Sequence, residues 1–100
     1  VIRNGSRLES QVDETQVIVV KASEGLAELR CGGSPMVDLG VASGAAMALD
    51  PAFSDGTIMG KRYVDDSGAE VLVTKAGRGS LSIGTTVLKI KEAAPLPASD

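Results

Sequence analysis

The stretch "TQVIVVK", residues 15–21, decides the fold class. Five of its seven residues are β-branched. Such side chains lose rotamer freedom in a helix and pack well on a pleated surface. The unbroken apolar run at 17–20 reads as a largely buried strand. Gly25 then breaks the pattern, and residues 27–31 resume it with strict alternation. Ala27, Leu29 and Cys31 share one face, and Glu28 and Arg30 take the other. The two segments predict a hairpin with residues 22–25 as its connection. Upstream, residues 7–10 form a candidate strand after an Asn4-Gly5 turn.

Downstream the same grammar repeats. Gly32-Gly33-Ser34-Pro35 is a turn string, because glycine reaches positive φ freely and proline fixes its own φ. Residues 36–39 return as a short strand. Residues 58–64 pair with 70–74 across Asp65-Asp66-Ser67-Gly68. The segment "KAGRG" (75–79) leads into residues 80–83, and Gly84-Thr85 turns the chain once more. The last strand, 87–91, places Leu88 and Ile90 inward and Lys89 and Lys91 outward. The expectation is an all-β domain, a small barrel or sandwich of about seven or eight short antiparallel strands. Only the small-residue stretch "GVASGAAMALDPAF" (40–53) interrupts it, with at most a short helical turn near residues 44–50.

A chain of 100 residues is one domain. Residues 1–92 read as that β-rich unit, and residues 93–100 as a tail whose Pro95 and Pro97 cannot continue a sheet interior. With no Trp, one Phe and one Tyr, the core must be built from aliphatic side chains, each burying less area than an aromatic. That scarcity favours association with a second copy. The net charge of −3 comes with no basic patch interleaved with aromatics, which argues against nucleic acid as a partner. No apolar run approaches the ~20 residues that cross a bilayer, so a membrane is not expected either. A single cysteine allows no internal disulfide, which suits a reducing cytoplasm.

Histidine is absent, which removes Ser-His-Asp and Cys-His catalysis and histidine-based metal sites. No metal and no cofactor is expected. Cys31 is the one candidate nucleophile. It stands at a strand end beside Gly32 and Gly33, whose backbone N–H groups would stabilise a thiolate or an oxyanion. Arg30, Lys75 or Arg78 would then orient a small acidic substrate. Against this, Cys31 shares its face with Leu29, and a buried thiol behaves as a small hydrophobe. The glycines of "KAGRGSLSIGTT" lack a following lysine and read as a hairpin connection rather than a phosphate loop. The leading expectation is a non-enzymatic accessory or structural subunit acting by oligomerisation or by binding a protein partner. A Cys31-dependent enzyme or carrier is the first alternative. The second is a barrel that binds a small ligand against Met36, Met47 and Met59.

Overall fold

The computed structural model describes residues 2–41 and 48–91. Most of the expected helical turn near 44–50, Met47 and the proline tail at 93–100 lie outside them. Within them the protein is all-β, with ten short strands in two antiparallel sheets. The first five are β1 (Arg7–Glu9), β2 (Gln16–Lys21), β3 (Leu29–Cys31), β4 (Ser34–Pro35) and β5 (Val37–Asp38). The second five are β6 (Arg62–Val64), β7 (Glu70–Lys75), β8 (Leu81–Ile83), β9 (Thr86–Val87) and β10 (Lys89–Ile90). Two single 3-10 turns, Glu24–Glu28 and Pro51–Phe53, complete the regular structure. The second begins where the Asp50 carboxylate accepts the Ala52 N–H at 2.9 Å.

The strand orders expose an internal two-fold. The larger sheet runs β10-β6-β7-β2-β1-β5 and the smaller β4-β3-β8-β9. Each order maps onto itself when β1–β5 are exchanged with β6–β10. The register obeys the same rule. Ile18 opposes Leu72, Val17 opposes Val73 and Val19 opposes Val71. In the smaller sheet Arg30 opposes Ser82, flanked by Leu29 with Ile83 and Cys31 with Leu81. The sequence carries the repeat as "VIVVKA" (17–22) and "VLVTKA" (71–76). Each half therefore supplies the other's central strands, and one core closes between the sheets. Leu8, Val17, Val19 and Leu29 of the first half pack with Tyr63, Val71, Val73 and Leu81 of the second, all buried.

One sequence expectation needs correction and two are refined. Residues 15–21 and 27–31 do not form a hairpin, because β2 pairs with β1 and β7 while β3 lies in the other sheet. The 3-10 turn Glu24–Glu28 redirects the chain between the sheets and buries Leu26. The short strands number ten because residues 34–38 and 86–90 each cross from one sheet to the other. Met36 and Leu88 are the buried pivots, their N–H groups donating to the carbonyls of Leu29 and Leu81. Ile90 keeps the inward face, directly opposite buried Tyr63, but is not covered there. It stands on an outermost strand with 38% of its surface exposed. The expected pairing across Asp65–Gly68 does form, as β6 on β7, with the Asp65 carboxylate accepting the Ala69 N–H at 3.0 Å.

The hairpin turns explain two glycine requirements. Gly32 and Gly33 both have positive φ, +63° and +88°, which a two-residue type I′ connection demands. At the equivalent turn only Gly84 is positive, at +59°, and Thr85 follows, as a type II′ connection allows.

A core shared between equivalent halves predicts equal sensitivity at equivalent positions. Leu29→Ala and Leu81→Ala should each lower unfolding free energy by about 2–5 kcal/mol in urea titration. A neutral outcome at either position contradicts a common core.

Candidate functional site

Cys31 ends β3 with no exposed surface. Its Sγ donates a long hydrogen bond to Asp13 Oδ1 at 3.7 Å. Asp13 lies in the β1–β2 loop, where it organises a small polar cluster. Its carboxylate accepts from the Thr15 hydroxyl at 2.9 Å, the Thr15 N–H at 3.2 Å and the Gly79 N–H at 2.6 Å. The last of these ties the β1–β2 loop of one half to the β7–β8 loop of the other. Space there is tight: a Cβ at Gly79 would stand 2.8 Å from the Gly32 nitrogen and 2.9 Å from Cys31 Sγ. A Cβ at Gly77 would collide with Thr15 Oγ1 and Asp13. Glycine is required at both positions by contact, not by turn geometry.

These surroundings set the protonation states. Burial pushes the Cys31 thiol up to about 11; the Thr15 hydroxyl opposes the shift and the Asp13 charge reinforces it. Burial alone would raise Asp13, but hydrogen bonds from Gly79, Ser10 and Thr15 outweigh it and hold the carboxyl below its ordinary value of 3.8. The cluster therefore pairs a protonated thiol with an ionised carboxylate at neutral pH. That state suits a structural fastening, since the thiolate is the nucleophile.

The remaining expected site residues are dispersed. The Gly32 N–H already donates to the Ser80 carbonyl at 3.0 Å. The Arg30 guanidinium donates to the Gly33 carbonyl at 3.2 Å. Lys75 and Arg78 are exposed and make no side-chain hydrogen bond or ion pair among the described residues. Met36 belongs to the core, whereas Met59 stands 67% exposed. No group of three potential metal ligands gathers among the described residues. No helix there is long and apolar enough to cross a membrane.

A second feature emerges only from comparing the halves. Residues 34–38 and 86–90 are equivalent, and both lie at the outer edges of the sheets. In antiparallel pairing the N–H groups alternate between the partner strand and the outside. Leu88 and Lys91 donate inward, to Leu81 and Arg62, so the N–H groups of Val87 and Ile90 face outward. In the first half the position of Val87 is Pro35, which has no N–H, and its carbonyl is bonded by Gln11 Nε2 at 2.7 Å. The position of Ile90 is Asp38, an exposed charge paired with core-facing Leu8. Proline and charge at an edge both block strand addition. The first-half edges are blunted, and the second-half edges are open and apolar.

Beside the open edge lies a groove of about 320 Å³. Tyr63, Leu81 and Leu88 line it together with the exposed Ile58, Val87 and Ile90. The Tyr63 hydroxyl accepts the Ile58 N–H at 3.0 Å and so holds one wall in place. On the solvent face of the same edge, Lys91 and Arg62 bracket Glu70 at 3.0 and 3.2 Å. The Lys91 bond holds the Glu70 carboxyl below its ordinary range. Alternation alone marked Ile90 as core, so the sequence reading missed this edge. The available signal was the exchange of Pro35 and Asp38 for Val87 and Ile90 between repeats.

Comparison with protein families, curated proteins and solved structures returned no match for this chain.

Two outcomes follow from the cluster. At pH 7.5 the Cys31 thiol of the folded protein should react with a maleimide at least ~100-fold more slowly than in denaturant. Comparable rates contradict the buried thiol. Because the folded Asp13 value is depressed, its stabilisation is fully present above 3.8 and is lost as pH falls through the lower folded value. Asp13→Asn should lower stability at pH 7 by ~1–3 kcal/mol and flatten the acid limb of the stability profile. An acid limb identical to wild type contradicts the assignment.

Proposed function

We propose that this protein is a non-enzymatic association module whose working surface is the open edge of its second half, residues 86–90, with the groove beside it. The observation that carries the reading is the asymmetry between equivalent edges. Two halves that share strand order, register and core differ where an incoming strand would bond. One carries Pro35, Gln11 and Asp38, and the other carries Val87 and Ile90. Exposed edges of this kind recruit strands through main-chain hydrogen bonds, and alternate side chains give selectivity. A role as an accessory or structural subunit follows from such a surface.

The chemistry near Cys31 supports the same reading. The thiol is protonated, enclosed and hydrogen-bonded to a carboxylate that clasps two loops. The neighbouring Gly32 N–H is committed to Ser80.

Val87→Pro copies onto the open edge what the first half already accommodates at Pro35. A display library of random heptapeptides should yield extended, β-forming binders. Their binding should perturb amide resonances of residues 86–90 and 55–58. It should weaken at least ~10-fold in Val87→Pro, which removes the outward N–H, with the melting temperature unchanged within a few degrees. Binders that map to residues 34–38, or that ignore Val87→Pro, contradict the reading.

A further inference from the structure

We infer that the open edge is closed by a second copy of this chain, pairing β9 against β9 about a two-fold axis at Val87. The inference rests on the association reading and names the partner. Its first support is register. An antiparallel pair centred on Val87 lets that residue exchange both outward main-chain bonds with its own copy, the bonded pair of an antiparallel ladder. The exposed valine side chains then meet on one face. The smaller sheet becomes a continuous eight-stranded one, β4-β3-β8-β9 followed by its mirror order, since each copy contributes four strands.

The second support is closure. Both ends of that combined sheet are β4, where Pro35 offers no N–H and Gln11 occupies the carbonyl. Pairing β9 to β9 leaves only blunted edges at the two ends of the smaller sheet, so that sheet stops growing at two copies. A head-to-tail arrangement would have to place Val87 against Pro35 and would propagate. The third support is charge. Residues 79–88, "GSLSIGTTVL", carry no ionisable side chain, so the paired segments themselves bring no like charges together. The Asp65 and Asp66 carboxylates that share a pocket with Thr86 and Val87 are accompanied there by Lys89. In this register Lys89 falls opposite Thr85 of the second copy, not opposite its own equivalent. The chain already uses the arrangement twice, where β2 meets β7 and β3 meets β8 about the internal axis.

The short edge makes this a reversible dimer rather than an obligate one. Sedimentation velocity of the full chain over a ~1000-fold concentration range should show a monomer–dimer equilibrium with no larger species. Val87→Pro should weaken it at least ~10-fold, while Ile90→Asp, on the neighbouring edge, should change it less than ~3-fold. Val87→Cys should cross-link to its own copy under mild oxidation, since the Cα separation of a bonded antiparallel pair, about 5.5 Å, fits a disulfide. Thr85→Cys should not.

A monomer at all concentrations overturns the inference, as does a series beyond dimer, a dimer indifferent to Val87→Pro, or cross-linking at Thr85 equal to that at Val87. If displayed peptides still bind in a Val87-dependent manner to a strictly monomeric chain, the inference falls and the association reading stands. If neither occurs, both fall.

Discussion

Everything in this fold depends on the antiparallel pairing of β2 with β7. Ile18 opposite Leu72 sets the register, and the flanking valines at 17, 19, 71 and 73 then point into one core. Neither half could bury those residues alone, because a sheet of the first half without β7 would end on β2 with its best apolar face uncovered. The smaller sheet follows from the same constraint. Once β2 and β7 are centred on a local two-fold, β3 and β8 emerge on the other side of the core and must meet about the same axis. The aliphatic composition is compatible with this plan. Short side chains from two sheets interleave around an axis without the large rings that many small domains use.

Loop-to-loop fastenings reinforce the pairing. The Asp13 carboxylate receives the Gly79 N–H from the other half and keeps Cys31 enclosed behind it. At the equivalent place, Asp65 accepts from Ser67, whose hydroxyl also contacts Ser23 of the first half. Gly25 and Gly79 are the close-approach glycines of these two contacts, one against Ser67 and Ile83, the other against Gly32 and Cys31. Cys31 and Ile83 are equivalent residues, which explains the cysteine in plain terms: a small apolar group is needed where Asp13 comes close.

Much of this was legible in residues 15–21, 65–68 and 84–85. Strand identity followed from β-branching, and turn positions from glycine and aspartate. Register placed Cys31 on the Leu29 face, and it is buried there. Pairing was not legible, because alternation fixes which face a residue takes but not which strand lies beside it. Residues 15–21 and 27–31 therefore looked like a hairpin and turned out to belong to different sheets. The repeat was visible in "VIVVKA" and "VLVTKA" but was obscured by unequal connections, residues 22–28 in one half and 76–80 in the other. Met36 and Leu88 hid the sheet crossing, since a buried pivot and a buried strand residue look alike in sequence. The open edge lies in the difference between two equivalent positions, Val87 and Pro35, which the pattern of a single strand does not contain.

The most direct test of the shared-core account is native-state hydrogen exchange followed residue by residue. The account predicts that ladder amides of β2, β7, β3 and β8 exchange only through global unfolding, with one common free energy equal to that from urea titration. Contradiction would take the form of two distinct free energies, with amides of one half still protected while those of the other exchange freely.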